Sequence, residues 1–190
     1  MIVYLHGFNS TPQSKKAREL HAYMTARGLG ADFVCPQLPH WPDDAIAAAE
    51  RAIAAAAGRP VTLVGSSLGG FYATWLAERH DLRAVLLNPA CMAARDLHPL
   101  VGTQRNLYSG EEYELTEAHI EAWERLRVPR ITPSRYLLIV ETGDEVLDYR
   151  EAVALYEGAR QIVVEGGDHT LVSFPRHLPT ILEFAGYPPG

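Results

Sequence analysis

Short runs of Val, Ile and Leu recur along the chain, and between most of them the apolar residues fall at helical spacing. The runs lie at residues 2–6, 32–35, 61–65, 84–88, 136–141 and 161–165. None keeps the strict apolar/polar alternation of a sheet with one wet face. The pattern therefore predicts strands covered on both sides, the arrangement of parallel strands joined by crossover helices, and an α/β class. A first helix is expected from Pro12, capped by Ser10 or Thr11, with Ala17, Leu20 and Met24 on one face and Gly28 as its stop. A second spans about 43–57, with Ile46, Ala49, Ile53 and Ala56 aligned. A third begins at Leu68 and carries Phe71, Tyr72, Trp75 and Leu76, apolar on more than one side and so predicted to be the most buried. Later helices are expected at 149–157 and 176–185, the last with Leu178, Ile181 and Leu182 at core spacing.

One connection breaks this rhythm. From Pro89 to Ser134 there are 46 residues before the next strand, several times the usual loop length, so the segment must have structure of its own. Within it, residues 116–127 (TEAHIEAWERLR) read as an amphipathic helix opened by an imperfect capping box, Thr116 with His119 where Glu or Gln is usual. The expectation is one domain over residues 1–190 with a cap inserted at about 89–134. A length of 190 residues fits that organisation.

Composition narrows the function. The hydrophobic fraction is 47% and the charged fraction 21%, the balance of a globular protein with a sizeable core. No apolar stretch approaches the roughly 18 residues of a membrane span, and the opening MIVYLH has no basic segment before it, so a cytoplasmic protein with no membrane partner is expected. Asp and Glu outnumber Lys and Arg by 23 to 17, and the basic residues are scattered, which removes the electrostatic basis for binding nucleic acid. Neither lysine, Lys15 or Lys16, follows a GxxxxG stretch, so the phosphate-cradling loop of nucleotide hydrolases is absent. The two cysteines, Cys35 and Cys91, form no CxxC pair and read as reduced, buried small hydrophobes.

The chemistry is concentrated at residues 65–69, Gly-Ser-Ser-Leu-Gly, a GxSxG pattern centred on Ser67. VTLV precedes it as a strand and LGGFYATWLAE follows it as a helix, the context of a nucleophile elbow. On so sharp a turn the serine backbone is strained, and side chains at Gly65 and Gly69 would collide with the neighbouring strand and helix. A serine hydroxyl is a poor nucleophile at neutral pH, so it needs a base within reach and an acid to hold that base. His169, in GGDH after the last strand, is the candidate base. Asp144, in TGDEVLDY after the preceding strand, is the leading candidate acid. The order Ser67, Asp144, His169 is the one associated with such elbows. Asp148 and Asp168 compete for the acid role, although Asp148 begins a helix, where a carboxylate caps, and Asp168 adjoins His169, where side chains diverge. His21, His119 and His177 fall in helices, His80 near a helix end, and His40 and His98 beside prolines in loops, none of them a place that calls for catalysis.

An oxyanion formed at Ser67 would need preorganised donors. The candidates are the backbone N–H groups of Leu68, next after the nucleophile, and Phe8, where His6-Gly7-Phe8 ends the first strand. His6 reads as a residue that shapes this loop. In the inserted segment Leu107, Tyr108, Tyr113 and Trp123 offer apolar surface, and Tyr108, Tyr113 and Trp123 are taken as candidate substrate contacts.

The segments YLHGFNSTPQSKKA, GSSLGGFYATWLAE, LNPA, TGDEVLDYREA and GGDH, in that order over nearly the whole chain, resemble the small bacterial YqiA-type esterases of the α/β-hydrolase superfamily. The stretch NLYSGEEYELTEAHIEAW is also similar to theirs. The resemblance implies an α/β-hydrolase fold without the initial antiparallel strands, a Ser67, Asp144, His169 triad, and esterase or thioesterase activity on small-molecule acyl substrates. The expected chemistry is ester or thioester cleavage through an acyl-enzyme, with no metal or organic cofactor. The rivals are thioester-specific or carbon–carbon hydrolysis on the same triad, and a binding protein that keeps the fold without the chemistry.

Overall fold

The computed structural model describes residues 1–106 and 108–188. Six strands form one sheet: β1 (Ile2–Leu5), β2 (Phe33–Val34), β3 (Thr62–Ser66), β4 (Arg83–Leu87), then β7 (Tyr136–Glu141) and β8 (Arg160–Val164). Their order is β2-β1-β3-β4-β7-β8, with every neighbouring pair parallel. The register sets Tyr4 beside Val64, Val64 beside Val85, and Ile139 beside Ile162.

The two faces of the sheet bury two separate clusters, because side chains alternate along a strand. Ile2 and Tyr4 of β1 point one way, with Val64, Val85, Leu137 and Ile139. Helices α1 (Lys15–Thr25) and α7 (Phe174–Phe184) cover this face with Ala17, Leu20 and Met24, and with Leu178, Ile181 and Leu182. Val3 and Leu5 point the other way, with Leu63, Leu86, Leu138 and Val140. That face is covered by α2 (Pro42–Ala54), α3 (Leu68–His80) and α6 (Tyr149–Leu155). The double cover explains why the strands read as continuous apolar runs.

Helix α3 lies against the middle of the sheet and buries residues all round, among them Phe71, Tyr72 and Leu76. Helix α1 starts at Lys15, three residues after the expected Pro12. Thr11 explains the delay: its hydroxyl accepts the Gln13 N–H at 3.1 Å and its carbonyl accepts the Ser14 N–H at 3.0 Å, closing a turn ahead of the helix. Cys35 and Cys91 are half-buried rather than buried, and burial pushes both thiols up to about 12.

Between β4 and β7 the chain makes an excursion over one end of the sheet. It forms α4 (Ala93–Leu97), an antiparallel hairpin of β5 (Gly102–Arg105) and β6 (Glu112–Leu115), and α5 (Glu117–Arg125). The expected helix is α5. Its unusual capping pair forms, with the Thr116 N–H donating to His119 Nδ1 at 3.1 Å. The hairpin and α4 were not expected from the pattern. Leu107 lies outside the described residues. Among the described residues, no helix is long and apolar enough to cross a membrane.

Candidate active site

Ser67 sits between the last residue of β3 and the first of α3, with φ 55° and ψ −123°. A positive φ is strained for any residue with a Cβ, so the surroundings must hold it. The Ser67 N–H donates to the Leu87 carbonyl at 3.1 Å, and its own carbonyl accepts the N–H groups of Gly70 at 2.9 Å and Ala90 at 3.1 Å. A Cβ on Gly65 would overlap the Gly69 backbone, and one on Gly69 would overlap the Leu5 carbonyl. The turn is therefore as sharp as the two glycines allow, and it carries the Ser67 hydroxyl into a cleft.

Two loops at the same end of the sheet meet that hydroxyl. His169 follows β8 and Asp144 follows β7. The His169 Nδ1 lies 2.9 Å from Asp144 Oδ2 and 3.0 Å from Oδ1. An ionised carboxylate only accepts, so Nδ1 carries the proton and Nε2 is left to accept from Ser67 Oγ, 3.1 Å away. Asp144 is fixed in turn, its Oδ1 accepting the N–H groups of Val146 and Leu147, both at 2.9 Å. Burial pushes its carboxyl up, but the His169 hydrogen bond and these two amides outweigh that and hold it below the ordinary range.

The competing carboxylates face elsewhere. Asp148 caps α6 through the Arg150 N–H at 3.0 Å and grips the Arg150 guanidinium. Asp168 accepts the Thr170 N–H at 2.8 Å together with its hydroxyl.

The sequence reading passed over the residues that hold the His169 loop, among them Glu145, whose carboxylate accepts the His169 N–H at 3.0 Å. Glu141, the last residue of β7, is 0% exposed, and its carboxylate accepts the N–H groups of Asp168, Val172 and Ser173. Asn88, just past β4 with φ 40°, donates its amide to the carbonyls of Asp168 at 3.0 Å and His169 at 3.3 Å, while its oxygen accepts the Glu141 N–H. The available signal was a lone acid closing the run YLLIVE.

Phe8 and Leu68 line the cleft with Ser67, and among the described residues the N–H of neither donates to a backbone acceptor outside regular secondary structure. Gly7 brings this loop close, since a Cβ there would stand 3.3 Å from the Ser67 Cβ. Among the described residues the His6 ring does not bond Ser67 Oγ. Its Nδ1–H donates to the Gly7 carbonyl and its Nε2 accepts the Leu38 N–H, both at 3.1 Å, which ties β1 to the loop after β2. Burial lowers its pKa and favours the neutral ring.

The cleft has a volume of about 900 Å³. Ser67 and His169 open into it, and Leu97, Leu100, Tyr108, Val146 and Leu147 supply apolar wall. Of the three aromatic residues expected to touch substrate, the structure brings only Tyr108 to this cleft. Tyr113 lines a smaller neighbouring cavity, stacks on His40 with ring centroids 4.2 Å apart and donates its hydroxyl to Asn9. Trp123 is 1% exposed and donates its indole N–H to the Tyr72 hydroxyl at 2.8 Å, packing α5 onto α3. His40 is no solitary loop histidine, because it pairs with His119 Nε2 at 3.1 Å. Among the described residues, no three His, Cys, Asp or Glu side chains converge as a metal-binding group.

Comparison with solved structures gives the same architecture. A candidate hydrolase from Agrobacterium vitis S4 is 20% identical, with 97% of this chain and 87% of that one covered and a TM-score of 0.79. Alpha/beta hydrolase domain-containing protein 10 from mouse is 15% identical over 97% and 89%, with a TM-score of 0.73. A monoacylglycerol lipase from Paleococcus ferrophilus is 17% identical over 97% and 93%, with a TM-score of 0.70. At such identities the likeness establishes the α/β-hydrolase fold. A family model, described as an uncharacterised protein family, matches residues 1–186, a span that contains every segment resembling the YqiA-type proteins, and the chain belongs to that family, UPF0227.

Proposed function

We propose that the protein is a serine hydrolase that cleaves carboxylic esters or thioesters through an acyl-enzyme on Ser67. The observation that carries the reading is the continuous hydrogen-bond line from Asp144 through His169 to Ser67 Oγ, with contacts of 2.9 and 3.1 Å, on a serine whose strained backbone presents it to an open cleft. A residue in a strained conformation, held by its neighbours, is a mark of a functional site.

In this mechanism Ser67 Oγ attacks the acyl carbonyl carbon as His169 Nε2 takes its proton. The carbonyl oxygen becomes an oxyanion, which the N–H groups of Phe8 and Leu68 stabilise. Asp144 holds the proton on Nδ1 and balances the imidazolium charge. The intermediate collapses when Nε2 returns the proton to the departing alcohol or thiol oxygen or sulfur, leaving the acyl group on Ser67. Water then enters, His169 takes its proton, and the second intermediate releases a carboxylic acid and restores the serine. Every group required is supplied by the chain. The excursion between β4 and β7 serves as a cap, with Leu97, Leu100 and Tyr108 facing the acyl chain. The lipolytic activity named for the Paleococcus ferrophilus relative of this fold is in keeping with such a substrate.

A fluorophosphonate probe followed by peptide mass mapping tests the reading. The expected result is a covalent adduct on Ser67 that is lost when His169 is replaced by Ala. Folded protein with no labelled serine would favour the non-catalytic binding role instead.

A further inference from the structure

We propose that Glu141 is the positioning residue of this site, setting the place of His169 through the backbone of its loop. The proposal rests on the serine-hydrolase reading above. A carboxylate with 0% exposure is costly to bury unless its oxygens are satisfied. Among the described residues Glu141 forms no ion pair, and the three backbone donors it engages all come from one loop. Oε2 accepts the Asp168 N–H at 2.8 Å and the Val172 N–H at 3.1 Å, and Oε1 accepts the Ser173 N–H at 2.7 Å. The donors bracket His169, one residue before it and three and four after it, so the loop is wound around a single charge.

The geometry of that loop conforms to the carboxylate. Gly167 has φ +73°, and a Cβ there would overlap the Glu141 carboxylate. Leu171 takes φ 57°, which turns the Val172 and Ser173 amides inward. From the other side Asn88 holds the carbonyls of Asp168 and His169, and its oxygen accepts the N–H of Glu141 itself. Lys16 adds a third hold by donating to the Thr170 carbonyl at 2.9 Å. Asp144 orients the imidazole ring and Glu145 accepts the His169 N–H at 3.0 Å, whereas Glu141 fixes the backbone on both sides of the residue from which the ring hangs. Among the described residues Glu141 hydrogen-bonds neither the ring nor Ser67, so its effect on catalysis passes through His169.

The test uses the full chain. Glu141→Gln keeps the volume, but three N–H groups converge on two oxygens, so at least one would face the new amide NH₂ and the loop must shift. A displacement of about 1 Å at a reacting group costs about 10²-fold in rate. With a p-nitrophenyl ester, E141Q is expected to lower kcat about 10²-fold with KM within about twofold, and to slow fluorophosphonate labelling of Ser67 by a similar factor. Placed on a His169→Ala background, E141Q should change the residual rate by less than about twofold, because the residue it acts through is gone. Wild-type labelling and turnover in folded E141Q would overturn the proposal. So would an equal loss on the His169→Ala background, which would mean a role in the whole fold. A wild-type protein that labels at no serine would refute the hydrolase reading and this proposal together, whereas a labelled wild type with an unimpaired E141Q refutes this proposal alone. Should E141Q fail to fold, Glu141→Asp, which keeps the charge but withdraws it by one methylene, is expected to give the same kcat and KM split, and wild-type values in E141D would overturn the proposal. In the wild type the amides of Asp168, Val172 and Ser173 should exchange with solvent at least about 10²-fold more slowly than an open loop, and open-loop exchange would overturn it as well.

Discussion

Replacing Asp144 by Asn separates the role of its charge from that of its shape. The Asp144 Oδ1 accepts the Val146 and Leu147 N–H groups, both at 2.9 Å, so the amide oxygen of an Asn will stay with those two donors. Its NH₂ is then turned toward His169 Nδ1, where Oδ2 now lies 2.9 Å away. An NH₂ group donates, so Nδ1 must accept and the proton moves to Nε2. A protonated Nε2 has no lone pair for the Ser67 hydroxyl. The same change of tautomer in a serine protease lowers turnover by about 10⁴, and at 1.36 kcal/mol per decade that is about 5 kcal/mol of transition-state stabilisation. Stability should fall far less. Two charge-assisted hydrogen bonds become neutral ones at about 1 kcal/mol each, a Tm drop of about 4–8 °C for a chain of this size. The assay is steady-state hydrolysis of a p-nitrophenyl ester at a temperature where thermal melts show the variant folded. The control is Asp148→Asn, because Asn caps a helix as well as Asp does and Asp148 faces Arg150. Asp144→Asn with more than a tenth of wild-type turnover, or a larger loss in Asp148→Asn, would refute the assignment.

The remaining expectations follow from the same geometry. Ser67→Ala and His169→Ala should each lower hydrolysis by roughly 10⁴-fold or more, with the double variant little worse than either, and additive losses would show that the two do not act as a unit. Trp123→Ala should lower stability by about 3–5 kcal/mol in denaturant melts, because it empties a buried site and leaves the Tyr72 hydroxyl without its donor, but it should leave the preferred acyl length unchanged. Tyr108→Ala, at a wall of the cleft and 60% exposed, should do the reverse, shifting the acyl-length profile of a p-nitrophenyl ester series with little change in melting. Because folding holds the Asp144 carboxyl below its ordinary range, its contribution to stability is present above about pH 4 and lost as pH falls through the folded value. Urea midpoints of wild type and Asp144→Asn should therefore converge below that pH, and a constant gap down to pH 3 would refute the linkage.

The strands were legible because burial on both faces leaves their sequence almost nothing but apolar residues, as in IVYL and YLLIVE. The hairpin of β5 and β6 was not, since GTQR and EYEL are polar and exposed or half-buried, with buried Leu115 as their one aliphatic residue. Helix α4 escaped notice for a related reason, being only five residues long. The placing of Ser67 followed from local chemistry, two glycines and a strand-to-helix turn. Glu141 gave no such cue because its donors lie 27 to 32 positions away, a separation that no local pattern encodes. Trp123 went the other way: its helical spacing was plain, but only the packed structure places it against Tyr72 and away from the cleft.

The long reach between Ser67 and His169, 102 positions, bears on how the protein comes into being. During synthesis the chain appears from its N-terminus, and N-terminal segments can begin to fold while later ones are still being made. The elbow around Ser67 draws on strands β1, β3 and β4, all present once residue 90 has emerged. The loop that carries His169 is not fully held until Glu141 joins Asn88 and Lys16 by engaging the amides up to Ser173, and that requires β7, β8 and the start of α7 to dock. On the proposed mechanism, the unfinished protein holds a shaped but inert serine through most of translation. Hydrolytic competence arrives late and abruptly, so its appearance in a ribosome-release series would mark the closing of the C-terminal part of the sheet rather than the formation of the elbow.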